Sequence, residues 1–160
     1  MSPGLQLTVA GLIDDRRYLR QVRRQAHALA VESRISWVGE LPREQVFGLL
    51  GSHDVFVYPS IAPESGWLGL LEGLAAGAVV VTSAPGAPRE LVVHGRNTLL
   101  FPPGDPLGLA EQLRRLSDDP ALGEGLLRDA RETVEHQSLA VALDQVEALL
   151  SDASKSVPQG

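Results

Sequence analysis

Short apolar runs alternate with amphipathic stretches along the first hundred residues of the chain. The apolar runs have the length of strands, are rich in Val, Ile and Leu, and several end at Gly or Pro. They predict five strands, at residues 6–10, 35–38, 55–58, 78–81 and 98–101. Between the strands, the apolar spacing predicts helices that begin after Asp14 and Asp15, at Pro42 and at Trp67.

Strands that alternate with helices at this spacing are typical of right-handed βαβ units. After the PPGDP motif the pattern becomes helical, and it predicts helices at residues 107–116, 121–135 and 139–150. We therefore expect an α/β fold, a Rossmann-like three-layer sandwich with a parallel sheet followed by C-terminal helices. One domain is expected over residues 1–151, and residues 152–160 are expected to form a disordered tail because they have little to bury.

The first predicted helix is apolar on one side and rich in arginine on the other. Its expected buried face consists of Tyr18, Leu19, Val22, Ala26 and Leu29. The polar side carries Arg16, Arg17, Arg20, Arg23 and Arg24. Two interpretations are open, a patch for anionic lipid or phosphate and an ordinary solvated helix face, and the second is favoured.

Composition excludes several classes of function. The net charge of −6, with no long basic run, makes nucleic acid an unexpected partner. The chain has no cysteine, which fits a reducing compartment, so a cytoplasmic location is expected. No apolar run is long enough for a membrane span, and no G-x-G-x-x-G motif follows the first strand, so a nicotinamide or flavin enzyme is disfavoured. No two of the four histidines have ligand spacing, so no metal is expected.

Glu64 and Glu72 flank the predicted start of a helix between two apolar strands. Two carboxylates there would accept hydrogen bonds from hydroxyl groups, at the sheet edge where ligands of α/β proteins bind. The N–H groups near Trp67 and Leu68 would form the positive end of the helix and suit a diphosphate. This pattern indicates a nucleotide sugar as the ligand. The alternative is a helix-capping Glu64 and a solvent-facing Glu72.

Three stretches of the chain resemble the carboxy-terminal, donor-binding half of retaining GT-B glycosyltransferases, the group described by an E-x7-E motif. The stretches are RISWVGELPREQVFGLLGSHDVFVYPS, VFVYPSIAPESGWLGLLEGLAAGAVVVTS and GAPRELVVHGRNTLLFPPGDPLGLAEQLRRLSDDP. Their order and spacing match the family's, and together they cover about residues 5–150. The resemblance implies transfer of a sugar from a nucleoside diphosphate, without a metal or other cofactor.

The resemblance also implies roles for particular residues. Glu64 is expected to be the catalytic residue and to hydrogen-bond hydroxyls of the transferred sugar, and Glu72 to hold the ribose hydroxyls. The donor's phosphates are expected at the backbone of Ser65, Gly66, Trp67 and Leu68. The segment that flanks the base is expected to include Val38, Gly39 and Leu41, and Gly11 is expected to contribute to donor binding.

The chain departs from the family pattern at five points. Gly66-Trp67 replaces the usual Phe-Gly, which puts the phosphate contact in doubt, whereas Gly73 in place of alanine and Thr98 in place of glycine are expected to be tolerated. The Arg and Lys pair that usually binds the diphosphate is absent, as is the amino-terminal, acceptor-binding domain. We therefore expect that transfer requires this missing domain or a partner subunit, and that the isolated chain is inactive.

Two other functions are compatible with the sequence. One is a non-catalytic nucleotide-sugar-binding or protein-interaction module derived from a glycosyltransferase. The other is a flavodoxin-like signalling domain, which is disfavoured because Asp14 and Asp15 only loosely resemble an acidic cluster at the end of the first strand. The sequence leaves the base, the sugar and the acceptor open.

Overall fold

The structure is a computed structural model that describes residues 4–63, 67–83, 85–87 and 91–136. The chain divides into two compact units, Met1–Leu49 and Leu50–Gly160, and each is described by itself. The helix predicted at residues 139–150 and the tail predicted at residues 152–160 lie outside the described residues, so both stay predictions.

The first unit is built on two parallel strands connected by a helix. Its elements are β1 (Leu7–Ala10), α1 (Arg16–Ala28), a 3-10 turn (Glu32–Arg34), β2 (Ile35–Gly39) and the beginning of α2 (Arg43–Gly51). In the β1–β2 pair, Leu7 lies opposite Ile35 and Val9 opposite Trp37. The predicted strands are confirmed to within one residue. Helix α2 begins one residue later than expected, and the carbonyl of Pro42 accepts hydrogen bonds from its first turn.

Helix α1 begins where the two aspartates predicted. The Asp15 carboxylate accepts hydrogen bonds from the backbone N–H of Arg17 at 2.7 Å and of Tyr18 at 3.1 Å, which caps the helix. Of the expected buried face, Ala26 is buried and Leu19 and Val22 are half-buried.

The predicted burial of two residues of that face is wrong. Tyr18 and Leu29 are each 65% exposed. Tyr18 lies in the first turn of α1 and Leu29 directly after its last residue, both at the Val22 edge of the stripe formed by Leu19, Val22 and Ala26, so the surface that covers the stripe does not reach them. Trp37 of β2 is half-buried, and the Arg23 guanidinium lies 5.4 Å from the centre of its ring.

The second unit contains three parallel strands in the order β3-β4-β5. Its elements are β3 (Val55–Tyr58), α3 (Leu68–Ala75), β4 (Val79–Thr82), β5 (Leu99–Leu100), α4 (Pro106–Asp118) and α5 (Pro120–His136). All four residues of β4 are buried, as suits the central strand of a parallel sheet. Strand β5 is shorter than predicted, because only its two leucines pair with β4.

Helices cover both faces of this three-stranded sheet. Val80 of β4 belongs to a core cluster that includes Leu70 and Leu74 of α3. Its neighbours Val79 and Val81 belong to a second cluster, against which apolar residues of α4 pack. Alternate residues of a strand point to opposite faces, so the unit has three layers, as the sequence predicted.

Candidate functional site

The predicted donor site of the second unit lies where the chain passes from β3 to α3. Residues 64–66 lie outside the described residues, so the roles predicted for Glu64, Ser65 and Gly66 stay predictions. The structure does describe Trp67, Leu68 and Glu72 and both ends of the neighbouring strands.

Trp67 occupies the position just before α3, and the helix begins at Leu68, one residue later than predicted. The carbonyl of Trp67 accepts a hydrogen bond from the N–H of Leu71 at 2.9 Å, and no side chain of the described residues caps the helix at this residue. The indole is half-buried and packs against the core cluster of α3 and β4. The N–H groups of the first turn of α3 are therefore donors without a serine, threonine or aspartate cap at Trp67.

Glu72 is half-buried on α3, and the backbone of this helix lies close to β3. A Cβ atom added to Gly69 would lie 3.4 Å from Cε2 of Tyr58. A Cβ added to Gly73 would overlap the ring of Phe56, at 2.8 Å from Cε1 and closer still to Cδ1. The Phe56 ring occupies the space that an alanine side chain at position 73 would need, so glycine suits this position of the chain. These two glycines allow α3, the helix that carries Glu72, to pack closely against β3.

Polar side chains at the end of β4 hold the loop that follows β3. The Thr82 hydroxyl donates to the carbonyl of Tyr58 at 3.0 Å, and the Ser83 hydroxyl donates to the carbonyl of Ser60 at 2.6 Å. Thr82 and Ser83 are both buried. They anchor the start of the segment that leads to Glu64. Sequence reasoning missed this role, although two hydroxyl residues directly after a buried apolar strand are a usable signal.

The loop after β4 approaches the loop after β3. Gly86 has a φ of +82°, and a Cβ added there would lie 3.7 Å from Cβ of Pro63. In a parallel sheet, the loops at the carboxyl ends of neighbouring strands meet at one edge, which is where ligands of α/β folds bind.

The first unit has a pocket of about 460 Å³ at the carboxyl ends of its two strands. It is lined by Leu12, Ile13, Arg16, Leu19, Arg20 and Glu40. Next to it, the N–H of Gly11 donates to the carbonyl of Gly39 at 2.8 Å, and both glycines have positive φ angles, of +148° and +72°. Side chains rarely adopt these conformations, so the glycines allow both strands to turn at the pocket.

The pocket lies beside the segment predicted to flank the base. Gly11 and Gly39 border it, Val38 is 41% exposed, and Leu41 is half-buried. Its actual lining includes Glu40 and two arginines of α1, which the sequence did not single out as site residues. The sequence did contain a partial signal for this pocket, because Leu12 and Ile13 are apolar residues in a loop.

Neither a metal site nor a membrane-spanning helix is present among the described residues. No group of three or more His, Asp or Glu in these ranges could hold a metal ion. The histidines make local contacts: Nδ1 of His27 lies 2.9 Å from the Glu32 carboxylate, and Nδ1 of His94 accepts from the N–H of Leu100 at 2.9 Å. No helix in these ranges is long and apolar enough to cross a membrane.

The chain matches the family "Glycosyl transferases group 1" over residues 1–136. It belongs to this family. It is 34% identical over 148 residues to a glycogen synthase of Mycobacterium tuberculosis, covering 90% of this chain and 35% of the relative. It is 31% identical to the lipopolysaccharide core biosynthesis glycosyltransferase LpsD of Rhizobium meliloti, covering 79% of this chain and 36% of the relative. The chain thus spans about a third of the length of these relatives.

Solved structures agree with this assignment. Anabaena Alr3699/HepE in complex with UDP-glucose superposes with a TM-score of 0.79 at 25% identity, over 93% of this chain and 42% of that one. The C-terminal domain of the group 1 glycosyl transferase LpcC from Francisella tularensis has a TM-score of 0.69 at 20% identity, over 76% of this chain and 62% of that one. The predicted fold, that of the carboxy-terminal half of a GT-B glycosyltransferase, is confirmed.

Proposed function

We propose that this chain is the donor-binding half of a retaining glycosyltransferase that takes a hexose from a nucleoside diphosphate in carbohydrate biosynthesis. The observation that carries the proposal is family membership over residues 1–136. Glu72, half-buried on α3, is the residue that we assign to the second glutamate of the family motif. The similar structure of Anabaena Alr3699/HepE was solved in complex with UDP-glucose, which supports a nucleotide sugar as the ligand of this chain.

The proposed chemistry stabilises charge and uses no nucleophile of the protein. Departure of a nucleoside diphosphate leaves negative charge, which N–H dipoles in fixed positions can receive. The first turn of α3 offers such donors, at the positive end of the helix. Glu72 would accept hydrogen bonds from ribose hydroxyls, and Glu64 would do so from hydroxyls of the transferred sugar.

In the first unit, we propose that the base lies beside Gly11 and residues 38–41. The pocket next to them combines the apolar side chains of Leu12 and Ile13 with charged groups, a lining that suits a flat heterocycle with polar edges.

No metal or other cofactor is part of the proposal. The acceptor is proposed to bind another domain or subunit, and we place the reaction in the cytoplasm because the chain contains no cysteine.

A non-catalytic nucleotide-sugar-binding module is the second candidate. The observation that favours it is Trp67, whose large side chain precedes α3 where the related motif has glycine. The two candidates share donor binding and differ in turnover, so transfer activity measured together with the acceptor-binding half separates them.

Calorimetric titration tests the shared step. Nucleoside diphosphates and their sugars are titrated into the chain, into Glu72→Ala, and into Glu124→Ala as a control for loss of an exposed helical carboxylate. We expect millimolar or tighter binding to the unmodified chain and to the control. Glu72→Ala should bind more weakly by about 1–3 kcal/mol, the loss expected for hydrogen bonds to a charged group. Equal affinity in all three proteins would contradict the role of Glu72.

A further inference from the structure

The pocket of the first unit brings one carboxylate and two guanidinium groups together. Glu40 directly follows β2, and Arg16 and Arg20 lie four residues apart on α1, so the two arginines share one side of the helix. All three charged residues are exposed, whereas Leu19 of the same lining is half-buried. The pocket therefore offers hydrogen-bond acceptors and donors beside apolar side chains.

These charged groups are not paired within the protein. In the part of the chain that the structure describes, no ion pair includes Glu40, Arg16 or Arg20. Elsewhere on the chain neighbouring opposite charges do pair, since Arg114 donates to both carboxylate oxygens of Glu111. Opposite charges that line one pocket without pairing leave their donors and acceptors to a ligand.

A carboxylate discriminates among nucleobases by the N–H groups that they present. It has two acceptor oxygens side by side, so it binds best to two adjacent donors. Guanine offers such a pair in N1–H and the N2 amino group. Uracil has one ring N–H between two carbonyl oxygens, and adenine and cytosine each have one amino group beside a ring nitrogen that accepts. With these three bases, the second carboxylate oxygen finds no N–H partner.

The arginines suit another edge of the same base. Guanine O6 and N7 are adjacent acceptors, and arginine is the side chain that most commonly donates to this pair. In adenine an amino group lies next to N7, and the pyrimidines have no N7. Guanine alone presents adjacent donors to a carboxylate and adjacent acceptors to a guanidinium group.

We propose that this pocket selects guanine, so that the donor is a sugar linked to guanosine diphosphate. Glu40 accepts hydrogen bonds from N1–H and the N2 amino group, and Arg16 and Arg20 supply the donors for O6 and N7. The inference rests on the proposed function, which places the base beside this pocket. It adds the identity of the base and a specificity-determining role for Glu40.

A series of nucleotides tests the selection on the unmodified chain. Calorimetric titration compares GDP with UDP, CDP, ADP and inosine diphosphate, which differs from GDP only by lacking the N2 amino group. We expect GDP to bind roughly 5- to 100-fold more tightly than UDP, CDP or ADP, the range for one bidentate base contact. Inosine diphosphate should bind several-fold more weakly than GDP, because one carboxylate oxygen then lacks its N–H partner.

Two variants connect the preference to one carboxylate. Glu40→Gln should bind inosine diphosphate at least as well as GDP, because the glutamine amide has one acceptor oxygen and its NH2 group cannot accept from N2. Glu44→Gln removes an exposed carboxylate of α2 that is outside the pocket lining. This matched variant should keep the preference for GDP.

An analogue of GDP in which carbon replaces N7 tests the arginines. It should bind less tightly than GDP to the unmodified chain, and as tightly as GDP to Arg16→Gln/Arg20→Gln. A general attraction of the arginines to phosphate would leave the two ligands equal in both proteins.

The results separate this inference from donor binding itself. Equal affinity for GDP and UDP, or a difference between GDP and inosine diphosphate that Glu40→Gln retains, would overturn the guanine assignment and leave donor binding intact. Absence of binding by every nucleotide would overturn the proposed function and this inference together. The comparison among bases uses the unmodified chain, so it does not depend on the folding of a variant.

Discussion

Gly73→Ala changes a position where α3 and β3 are in close contact. In an exposed helix, replacing glycine by alanine stabilises the folded protein by about 0.5–1 kcal/mol, because glycine loses more backbone freedom on folding than alanine does. Here the new Cβ would lie 2.8 Å from Cε1 of Phe56, in a residue that is buried. Overpacking a core costs about 1–3 kcal/mol. We therefore expect a net loss of about 1–2 kcal/mol.

Urea unfolding followed by Trp67 fluorescence, in a Trp37→Phe background, measures this loss in the second unit. Gly69→Ala is the control on the same helix, because its Cβ would meet Tyr58 at 3.4 Å, a distance that a small shift of the ring relieves. We expect this control to be neutral or up to about 1 kcal/mol more stable. Adding Phe56→Leu to Gly73→Ala should recover part of the loss, which a double-mutant cycle quantifies. A Gly73→Ala protein as stable as the Gly69→Ala protein would refute the packing argument.

Two further predictions concern buried hydroxyls and surface charge. Thr98 has a buried hydroxyl without a hydrogen-bond partner in the described ranges, so Thr98→Val should stabilise the protein by about 1 kcal/mol. Thr82→Val should destabilise it by about as much, because the Thr82 hydroxyl donates to the carbonyl of Tyr58. Thermal unfolding that moves in the same direction for both would contradict this. The Arg114 guanidinium, which hydrogen-bonds both carboxylate oxygens of Glu111, lowers the pKa of Glu111. That contribution to stability is present above the ordinary carboxyl pKa and is lost as pH falls through the lowered value. NMR titration should show the Glu111 pKa rising in Arg114→Met.

The strands were predictable because β-branched runs bounded by Gly or Pro have few other interpretations. Val55–Tyr58 has the predicted bounds, and β4 differs from its prediction by one residue. The exposure of Tyr18 and Leu29 was not predictable from periodicity, because an apolar residue at the edge of a helical stripe is covered only when a neighbour extends that far.

The candidate site was predictable only in part. The position of Glu72 on a helix after β3 followed from the sequence pattern and the family resemblance. The overlap at Gly73 with Phe56 depends on how closely two elements approach, which sequence does not encode locally. The pocket at Glu40 and Arg16 likewise results from the pairing of β1 with β2, whose loops are distant in sequence.

NMR tests donor binding most directly. The chemical shifts of the backbone amides and of the Trp67 indole are followed while UDP-glucose, or glucose linked to a nucleoside diphosphate with another base, is titrated into the protein. The account predicts shift changes at Trp67, Leu68 and Glu72, and in the first unit at Gly11 and residues 38–41. It also predicts that Glu72→Ala weakens the response. Changes confined to α4 and α5, or none with any nucleotide sugar at millimolar concentration, would contradict it.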